Sequence, residues 1–210
     1  ERKPQLIRTE IRDTTAIREI GNMEVLSNLI PDRVGSPFSI NSIREDVGVA
    51  FETIRDWIGV LDSFFYLFIV TPFARSHARA IKKEPKVYLY DWAEIESAGP
   101  RFENLVALHL RKAVATWTAL GDGAVDLHYV RDKEKREVDF LITVSGRPAV
   151  LVECKHSDTG LSKDLLYYQE RLQVPTAVQL VHRSGVSSRV RRPAGTAWVI
   201  SADRWLRLLP

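Results

Sequence analysis

Two charged side chains stand inside an otherwise apolar segment, Val150-Leu151-Val152-Glu153-Cys154-Lys155. Short apolar runs that are rich in β-branched residues are typical of buried strands. Because side chains alternate across a strand, we expect Glu153 and Lys155 on one face and Val152 and Cys154 on the other. A charge within a buried strand is costly unless it is paired or binds a metal. The segment therefore predicts a sheet with a charged site at one end.

A second carboxylate is predicted to meet this pair. Asp139 lies at the start of the preceding apolar run, and the turn-forming segment Ser145-Gly146-Arg147-Pro148 separates the two runs. If the runs form a hairpin, Asp139 lies beside the end of the strand that carries Glu153. We expect their carboxylate oxygens to be roughly 4 to 5 Å apart, within reach of one metal ion.

These residue types suit phosphodiester hydrolysis. Asp139 and Glu153 supply hard oxygen ligands for Mg²⁺, or for Mn²⁺ as a substitute, and proteins usually hold Mg²⁺ with one or two carboxylates plus water. The metal would polarise a phosphate and lower the pKa of a bound water. Lys155 would orient that water and offset charge that develops on the phosphate. Glu103, near the start of a predicted helix and close to its apolar stripe, is the fourth candidate.

The order of predicted elements divides the chain near the turn-rich stretch Ser97-Ala98-Gly99-Pro100. Residues 97–210 read as a helix, a three-strand meander, a helix and two further strands, which is an α/β (α+β) order. Residues 1–96 read as a winged-helix-like domain, in which two short helices joined through Gly48 form a helix-turn-helix pattern. The wing is predicted to be the basic loop between strands at about 66–71 and 86–90.

Composition sets wider limits. The 210 residues carry a formal net charge of +3, which by itself does not indicate a nucleic-acid partner. The wing suggests a nucleic-acid partner more strongly, because its basic run contains only one acid. The candidate DNA contacts in this run are Arg75, Arg79, Lys82 and Lys83, and Lys86 ends it. A second basic cluster comprises Arg183, Arg189, Arg191 and Arg192.

The composition and the first residues of the chain also give expectations about where the protein is located and whether it is part of a longer one. No apolar run approaches the roughly 18 residues that span a bilayer, so no membrane partner is expected. The single cysteine, Cys154, excludes an internal disulfide and favours a cytoplasmic protein. The chain does not begin with Met, and we expect it to be a piece of a longer protein.

Five sequence blocks carry a resemblance to a known family. They are Pro85–Trp92, Phe102–Val106, Tyr129–Lys133, Glu137–Phe140 and Val152–Lys155. As an ordered set, they resemble the family called domain of unknown function 4143, within the PD-(D/E)XK nuclease-like superfamily, over nearly the whole chain from about residue 10. One departure is that Ala93 and Glu94 follow the first block, where the family typically has Gly-Leu.

The resemblance implies a winged-helix-like domain followed by a restriction-endonuclease-like mixed-sheet core. It also implies a prokaryotic protein in which this region follows an AAA-type ATPase domain of the same polypeptide. The chain itself contains no phosphate-binding loop of the G-x-x-x-x-G-K-[ST] type. DNA is the expected partner, and Asp139, Glu153 and Lys155, with Glu103, are the expected catalytic positions.

Other interpretations stay open at this point. The charged cluster can be a catalytically silent ion-pair network, and Glu103 can be a structural partner of Lys155 rather than a metal ligand. Glu137 is expected to be a surface partner of Arg131 or Lys135. The winged-helix-like domain can dock a protein instead of DNA. The whole region would then be an inactive interaction or regulatory module that couples the ATPase to DNA or to a protein.

Overall fold

The computed structural model describes residues 2–11, 19–74, 84–121, 123–157 and 159–210. The α-helices are α1 (Arg2–Gln5), α2 (Ile20–Leu29), α3 (Ile40–Val47), α4 (Phe51–Ser63), α5 (Ala98–Leu120), α6 (Lys163–Leu172) and α7 (Ala202–Leu206). The strands are β1 (Leu67–Pro72), β2 (Lys86–Leu89), β3 (Val125–Arg131), β4 (Glu137–Val144), β5 (Arg147–Lys155), β6 (Thr176–Val181), β7 (Ser187–Arg192) and β8 (Gly195–Ser201). Within these ranges no helix is both long enough and apolar enough to cross a bilayer.

One mixed sheet of eight strands, in the order β2-β1-β3-β4-β5-β6-β8-β7, organises the described residues. The pairs β1–β3, β5–β6 and β6–β8 are parallel, and the other neighbours are antiparallel. The expected α/β class is therefore confirmed. From α5 onward the chain runs helix, antiparallel meander, helix and parallel strand, in the order that the sequence predicts.

Helices α5 and α6 cover opposite faces of the sheet and create two apolar layers. The buried stripe of α5 comprises Phe102, Val106, Ala107, Leu110 and Ala113, whose spacing matches helical periodicity. This stripe, through all its members but Ala113, joins the larger core cluster, together with β4 and β5 residues such as Phe140 and Val152. Helix α6 packs Leu165 and Tyr168 into the smaller cluster. Leu141 and Leu151, which are sequence neighbours of Phe140 and Val152 and point to the opposite face, belong to the same cluster. The sheet is therefore buried on both faces where β4 and β5 run.

The helix pair predicted before the sheet is present. Ser39 caps α3 by accepting a hydrogen bond from the backbone of Ser42, and α3 ends at Gly48 with φ +77°. Glycine adopts this left-handed conformation without a steric penalty, and the chain can therefore turn directly into α4. Helix α4 buries the four residues expected from its sequence, Ile54, Trp57, Ile58 and Leu61. The winged-helix assignment itself stays a prediction, because the proposed wing at 75–83 lies outside the described residues.

Strands β1 and β2 are part of the main sheet. They pair antiparallel with each other, and β1 also pairs parallel to β3 at Thr71–His128 and Pro72–Tyr129. The larger core cluster contains residues from both sides of position 96. The proposed division into domains 1–96 and 97–210 stays a prediction, but the described residues on its two sides share a sheet and a core.

A buried amide on α5 attaches the outer strand β2. Asn104 is fully buried, its Oδ1 accepts a hydrogen bond from Leu89 N at 2.7 Å, and its Nδ2 donates to Leu89 O at 2.7 Å. One side chain therefore satisfies both main-chain groups of a buried strand residue. A buried polar group that loses its partner costs free energy, so this pair of bonds fixes β2 against α5.

We expect Asn104→Leu to lower the free energy of unfolding by about 2 to 5 kcal/mol, because it leaves the N–H and C=O of Leu89 buried without partners. Urea denaturation of the parent and the variant measures the difference. The matched control is Asn28→Leu at an exposed position of α2, which should change stability by less than about 0.5 kcal/mol. Equal losses in the two variants would contradict this role of Asn104.

Candidate functional site

A buried lysine stands among three carboxylates at the junction of β2, β4 and α5. Lys86 has 0% exposure, and its Nζ lies 2.6 Å from Glu137 Oε1, 3.3 Å from Glu103 Oε1 and 3.6 Å from Asp139 Oδ1. The negative charges of these three acids raise the pKa of Lys86 against the opposing effect of burial, which is the larger single influence and lowers it. Lys86 is therefore a charged ammonium group with three acidic neighbours.

This position corrects the sequence analysis. Lys86 was grouped with the basic run of the wing, and that assignment is wrong, because a side chain with no solvent exposure cannot serve as a surface contact for phosphate. The four wing residues proposed to bind DNA, Arg75, Arg79, Lys82 and Lys83, lie outside the described residues.

Glu103 is held from three sides. Its Oε1 accepts hydrogen bonds from Tyr88 Oη at 2.8 Å and from Lys86 Nζ at 3.3 Å. Gly35, with φ +78°, closes over the same carboxylate, and a Cβ at this position would lie 2.9 Å from Glu103 Oε2. Among the described residues, the hydrogen-bond partners of Glu103 are thus Lys86 and Tyr88, whereas the sequence left two roles open for it, a structural partner of Lys155 or a metal ligand.

Asp139 links this group to the end of β5. The β4–β5 ladder pairs Phe140 with Val152, and beyond that pair the backbone N–H of Cys154 donates to Asp139 Oδ2 at 2.8 Å. A side-chain oxygen therefore satisfies this backbone donor. The other oxygen, Oδ1, faces Lys86, so Asp139 contacts both the buried lysine and the strand that carries Glu153 and Lys155.

Glu153 and Lys155 form an ion pair at the end of β5, with Lys155 Nζ 2.7 Å from Glu153 Oε1. Glu153 is the register partner of Gln179 on parallel β6, and the two side chains share a sheet face. Gln179 Oε1 accepts from the backbone of Ser162, the cap of α6, which identifies this as the face that α6 covers. Glu153 is 4% exposed, and its Oε2 is buried with no hydrogen-bond partner among the described residues.

Burial and like charge shift the protonation of this site. Burial, together with the charge of Asp139, raises the pKa of Glu153 to about 8 and that of Glu103 to about 7. Burial also raises the pKa of Asp139, against the opposing charge of Lys86. We define the carboxylate cluster as Glu103, Glu137, Asp139 and Glu153. Its cationic contacts are Lys86, Lys155 and Arg131, and the last of these lies 2.6 Å from Glu137. Among the described residues the group comprises four acids and three cations, so one protonated acid would make it neutral. Burial raises the pKa of Glu103, Asp139 and Glu153 and therefore favours a proton shared among these three.

The other predictions for the site have different outcomes. Glu137 pairs with Arg131 as expected, but its side chain is 19% exposed and also contacts Lys86, so it is part of the cluster rather than a surface residue. Cys154 packs against the core as predicted, and burial raises the pKa of its thiol. Within the described ranges, no three His, Cys, Asp or Glu residues are arranged to hold a metal ion. The expected separation between Asp139 and Glu153 stays a prediction.

Two family profiles match the chain. The first, Domain of unknown function (DUF8612), covers residues 4–95, and the second, Domain of unknown function (DUF4143), covers residues 98–201. Residues 98–201 form a DUF4143 domain. The resemblance stated above for nearly the whole chain is thus confirmed for this part, whereas the block Pro85–Trp92 falls within the DUF8612 match. No curated protein matches the chain.

The carboxylate cluster belongs to the DUF4143 domain, whereas its buried cation belongs to the DUF8612 match. Glu103, Glu137, Asp139 and Glu153 all lie within 98–201, and Lys86 lies within 4–95. A sequence signal for Lys86 was present, because it begins the strand Lys86-Val87-Tyr88-Leu89. A lysine within such a short apolar run is a candidate for a buried charge, because a charge inside a strand must be paired whether it belongs to a lysine or to a carboxylate such as Glu153.

The raised pKa of Glu153 predicts that stability falls as pH rises. Between the unfolded pKa of Glu153, near 4.5, and its folded value of about 8, the folded DUF4143 domain holds more protons than the unfolded chain, so the free energy of unfolding decreases with pH in this window. We expect Glu153→Gln to flatten this slope and to be more stable than the parent at about pH 8, by up to a few kcal/mol. Urea denaturation at several pH values tests this. An unchanged slope would contradict it.

Lys86→Met should destabilise the protein by about 3 to 5 kcal/mol at about pH 8, because it leaves buried carboxylates without their cation. The loss should be smaller at about pH 5, where the acids take up protons. The matched control is Lys112→Met on the exposed surface of α5, with an expected change below about 0.5 kcal/mol. Thermal melts at both pH values give the comparison, and a pH-independent loss would argue against an electrostatic role.

Proposed function

We propose that the DUF4143 domain is a nuclease-like core that binds DNA and hydrolyses phosphodiester bonds with Mg²⁺. The observation that carries this proposal is Oε2 of Glu153, which is buried and finds no hydrogen-bond partner in the part of the chain that the structure describes. It lies beside Lys155 and within electrostatic reach of Asp139. A buried carboxylate oxygen without a partner is rare in a purely structural ion pair, since such atoms are normally satisfied. A metal ion would satisfy it.

The donor set fits Mg²⁺. Asp139 and Glu153 offer carboxylate oxygens, and a Mg²⁺ site commonly uses one or two of these plus waters, so a third protein ligand is not required. When bound, the metal supplies charge stabilisation for a phosphate and a water of lowered pKa. Mg²⁺ would replace the proton on Glu153, since a ligating carboxylate must be ionised. Binding is therefore expected to strengthen as the pH approaches and passes about 8.

The other residues of the site have proposed roles that do not include binding the metal. Lys155 is 38% exposed at its side chain, so its ammonium group can contact both Glu153 and a phosphate oxygen that approaches from solvent. Lys86 neutralises part of the charge of Asp139 from the opposite side and limits repulsion between Asp139 and Glu153. Glu103 is proposed to position Lys86 and Tyr88 rather than to contact the substrate.

The proposal extends to partners. The wing residues Arg75, Arg79, Lys82 and Lys83 are the proposed phosphate contacts of the N-terminal region, and the support for them is the basic run in the sequence. An AAA-type ATPase domain of the same polypeptide is proposed as the neighbour of this region, on the resemblance described above. DNA contact by the wing would bring the nucleic acid to a sheet that also carries the carboxylate cluster, because β1 and β2 flank the wing in the sequence.

A second candidate function is a catalytically inactive module that couples the ATPase to DNA or to a protein partner. One contact favours it: Lys86 Nζ lies 3.6 Å from Asp139 Oδ1, so a cation of the chain already compensates a carboxylate that would ligate the metal. In this case Lys155 serves to neutralise Glu153, and the cluster is an ion-pair network without chemistry.

Metal binding and cleavage separate the two candidates. For the nuclease, we expect Mn²⁺ to raise the melting temperature of the parent at about pH 8.5, because a ligand that binds only the folded state stabilises it. Asp139→Asn and Glu153→Gln should abolish this shift. Lys155→Ala should retain it but lower kcat about 10²- to 10³-fold on plasmid or single-stranded DNA.

Lys163→Ala, at an exposed position of α6, is the matched control and should retain both properties. The inactive module predicts a different set of results. The parent would show neither a Mn²⁺ shift nor cleavage, and Lys155→Ala would melt below the parent in metal-free buffer, since it leaves a buried carboxylate without its cation.

A further inference from the structure

Two imidazole rings stack on each other beside the end of β5. The ring centroids of His156 and His182 are 5.0 Å apart and their planes are 21° apart. Phe102 also contacts His182, in an edge geometry with ring centroids 5.2 Å apart and an interplanar angle of 64°. The three rings therefore form a contiguous series, here called the column, that leads through His182 from the buried Phe102 to His156.

The column is anchored at its base and open at its end. Phe102 is 5% exposed and is part of the buried stripe of α5, whereas both histidines are exposed. The backbone N–H of His182 donates to Lys155 O at 3.3 Å, which fixes the segment after β6 against the end of β5. None of the residues that the structure describes packs another ring against the outer face of His156.

The column adjoins the candidate site at two points. His156 follows Lys155 directly and lies three positions after Glu153, a span of at most about 10 Å. At the other end, Phe102 precedes Glu103 on α5. An exposed cation, Arg183, follows His182. A flat exposed ring with a basic neighbour is the combination that proteins use to bind single-stranded nucleic acid, in which bases stack on rings and cations contact phosphates.

We propose that His156 and His182 form a stacking site for an unpaired nucleobase, so that the substrate of the candidate site is a single-stranded nucleic acid or a single-stranded end. This inference rests on the proposed function, since it names the substrate class of that site. A base within a duplex is already stacked on both faces and cannot continue the column, whereas an unpaired base offers a free face. The stack would hold the strand a few nucleotides from Asp139 and Glu153.

Equilibrium binding without cleavage tests the stack. A short oligonucleotide that contains 2-aminopurine is titrated in EDTA as a single strand, as the matching blunt duplex and as the ribonucleotide version. The single strand should bind more tightly than the duplex, with a fluorescence change from stacking of the base. The His156→Ala/His182→Ala double variant should lose about tenfold in affinity for the single strand. His156→Phe/His182→Phe should retain the affinity, because it keeps two flat rings.

The matched control is His109→Ala, an exposed histidine of α5, which should bind as the parent does. Equal binding by the parent and the alanine double variant overturns the stacking site, and so does a preference for the duplex. If this occurs while Mn²⁺-dependent cleavage persists, the proposed function stands without the stack. If the stack proves necessary for binding but Mn²⁺ produces neither a melting shift nor cleavage, hydrolysis fails and the nucleic-acid site stands. Failure of the parent to bind any of the three oligonucleotides overturns both.

Discussion

The burial of one ammonium group governs the arrangement of this chain. Moving a charge such as that of Lys86 out of water costs several kcal/mol, and the cost is offset only by close, well-placed opposite charges. Here the compensating groups come from α5 and β4, while the lysine comes from β2. The three elements must therefore dock together, since no pair of them leaves every charge compensated. The Asn104 bonds to Leu89 act in the same direction, because they fix the strand that presents the lysine.

Local rules recovered much of the fold from the sequence. Alternation in β5 identified Glu153 and Lys155, and helical periodicity identified the buried residues of α4 and the extent of α5 to within a few residues. Strand β7 was missed because its residues, such as Arg189 and Arg191, are exposed at the sheet edge and carry no apolar pattern. Its pairing with β8 is a tertiary property that a periodicity argument does not detect.

The candidate site was predicted only in part, because sequence patterns report contacts within one strand but not contacts between distant segments. Glu153 and Lys155 are neighbours on one strand, so their contact follows from spacing alone. The environment of Lys86 depends on residues that lie far along the chain, and its nearest acid in the sequence, Glu84, suggested a solvated basic run instead. The contact between Glu103 and Lys86 was not predicted, because this lysine comes from the edge of the sheet and not from the strand that carries Lys155. Sequence spacing thus predicted the chemistry of the strand but not which cation compensates which acid.

The contacts of Asn104 and Lys86 constrain which N-terminal segments can be combined with a DUF4143 domain. The family profiles meet between residues 95 and 98, yet the charge balance of the cluster crosses that junction. Recombination at this point would combine a DUF4143 segment with an N-terminal segment from another source. Unless the incoming segment supplied a cation at the position of Lys86 and a strand that Asn104 could bind, the exchange would remove the cation that Glu103, Glu137 and Asp139 share. Two segments that match separate family profiles therefore depend on each other for this charge balance.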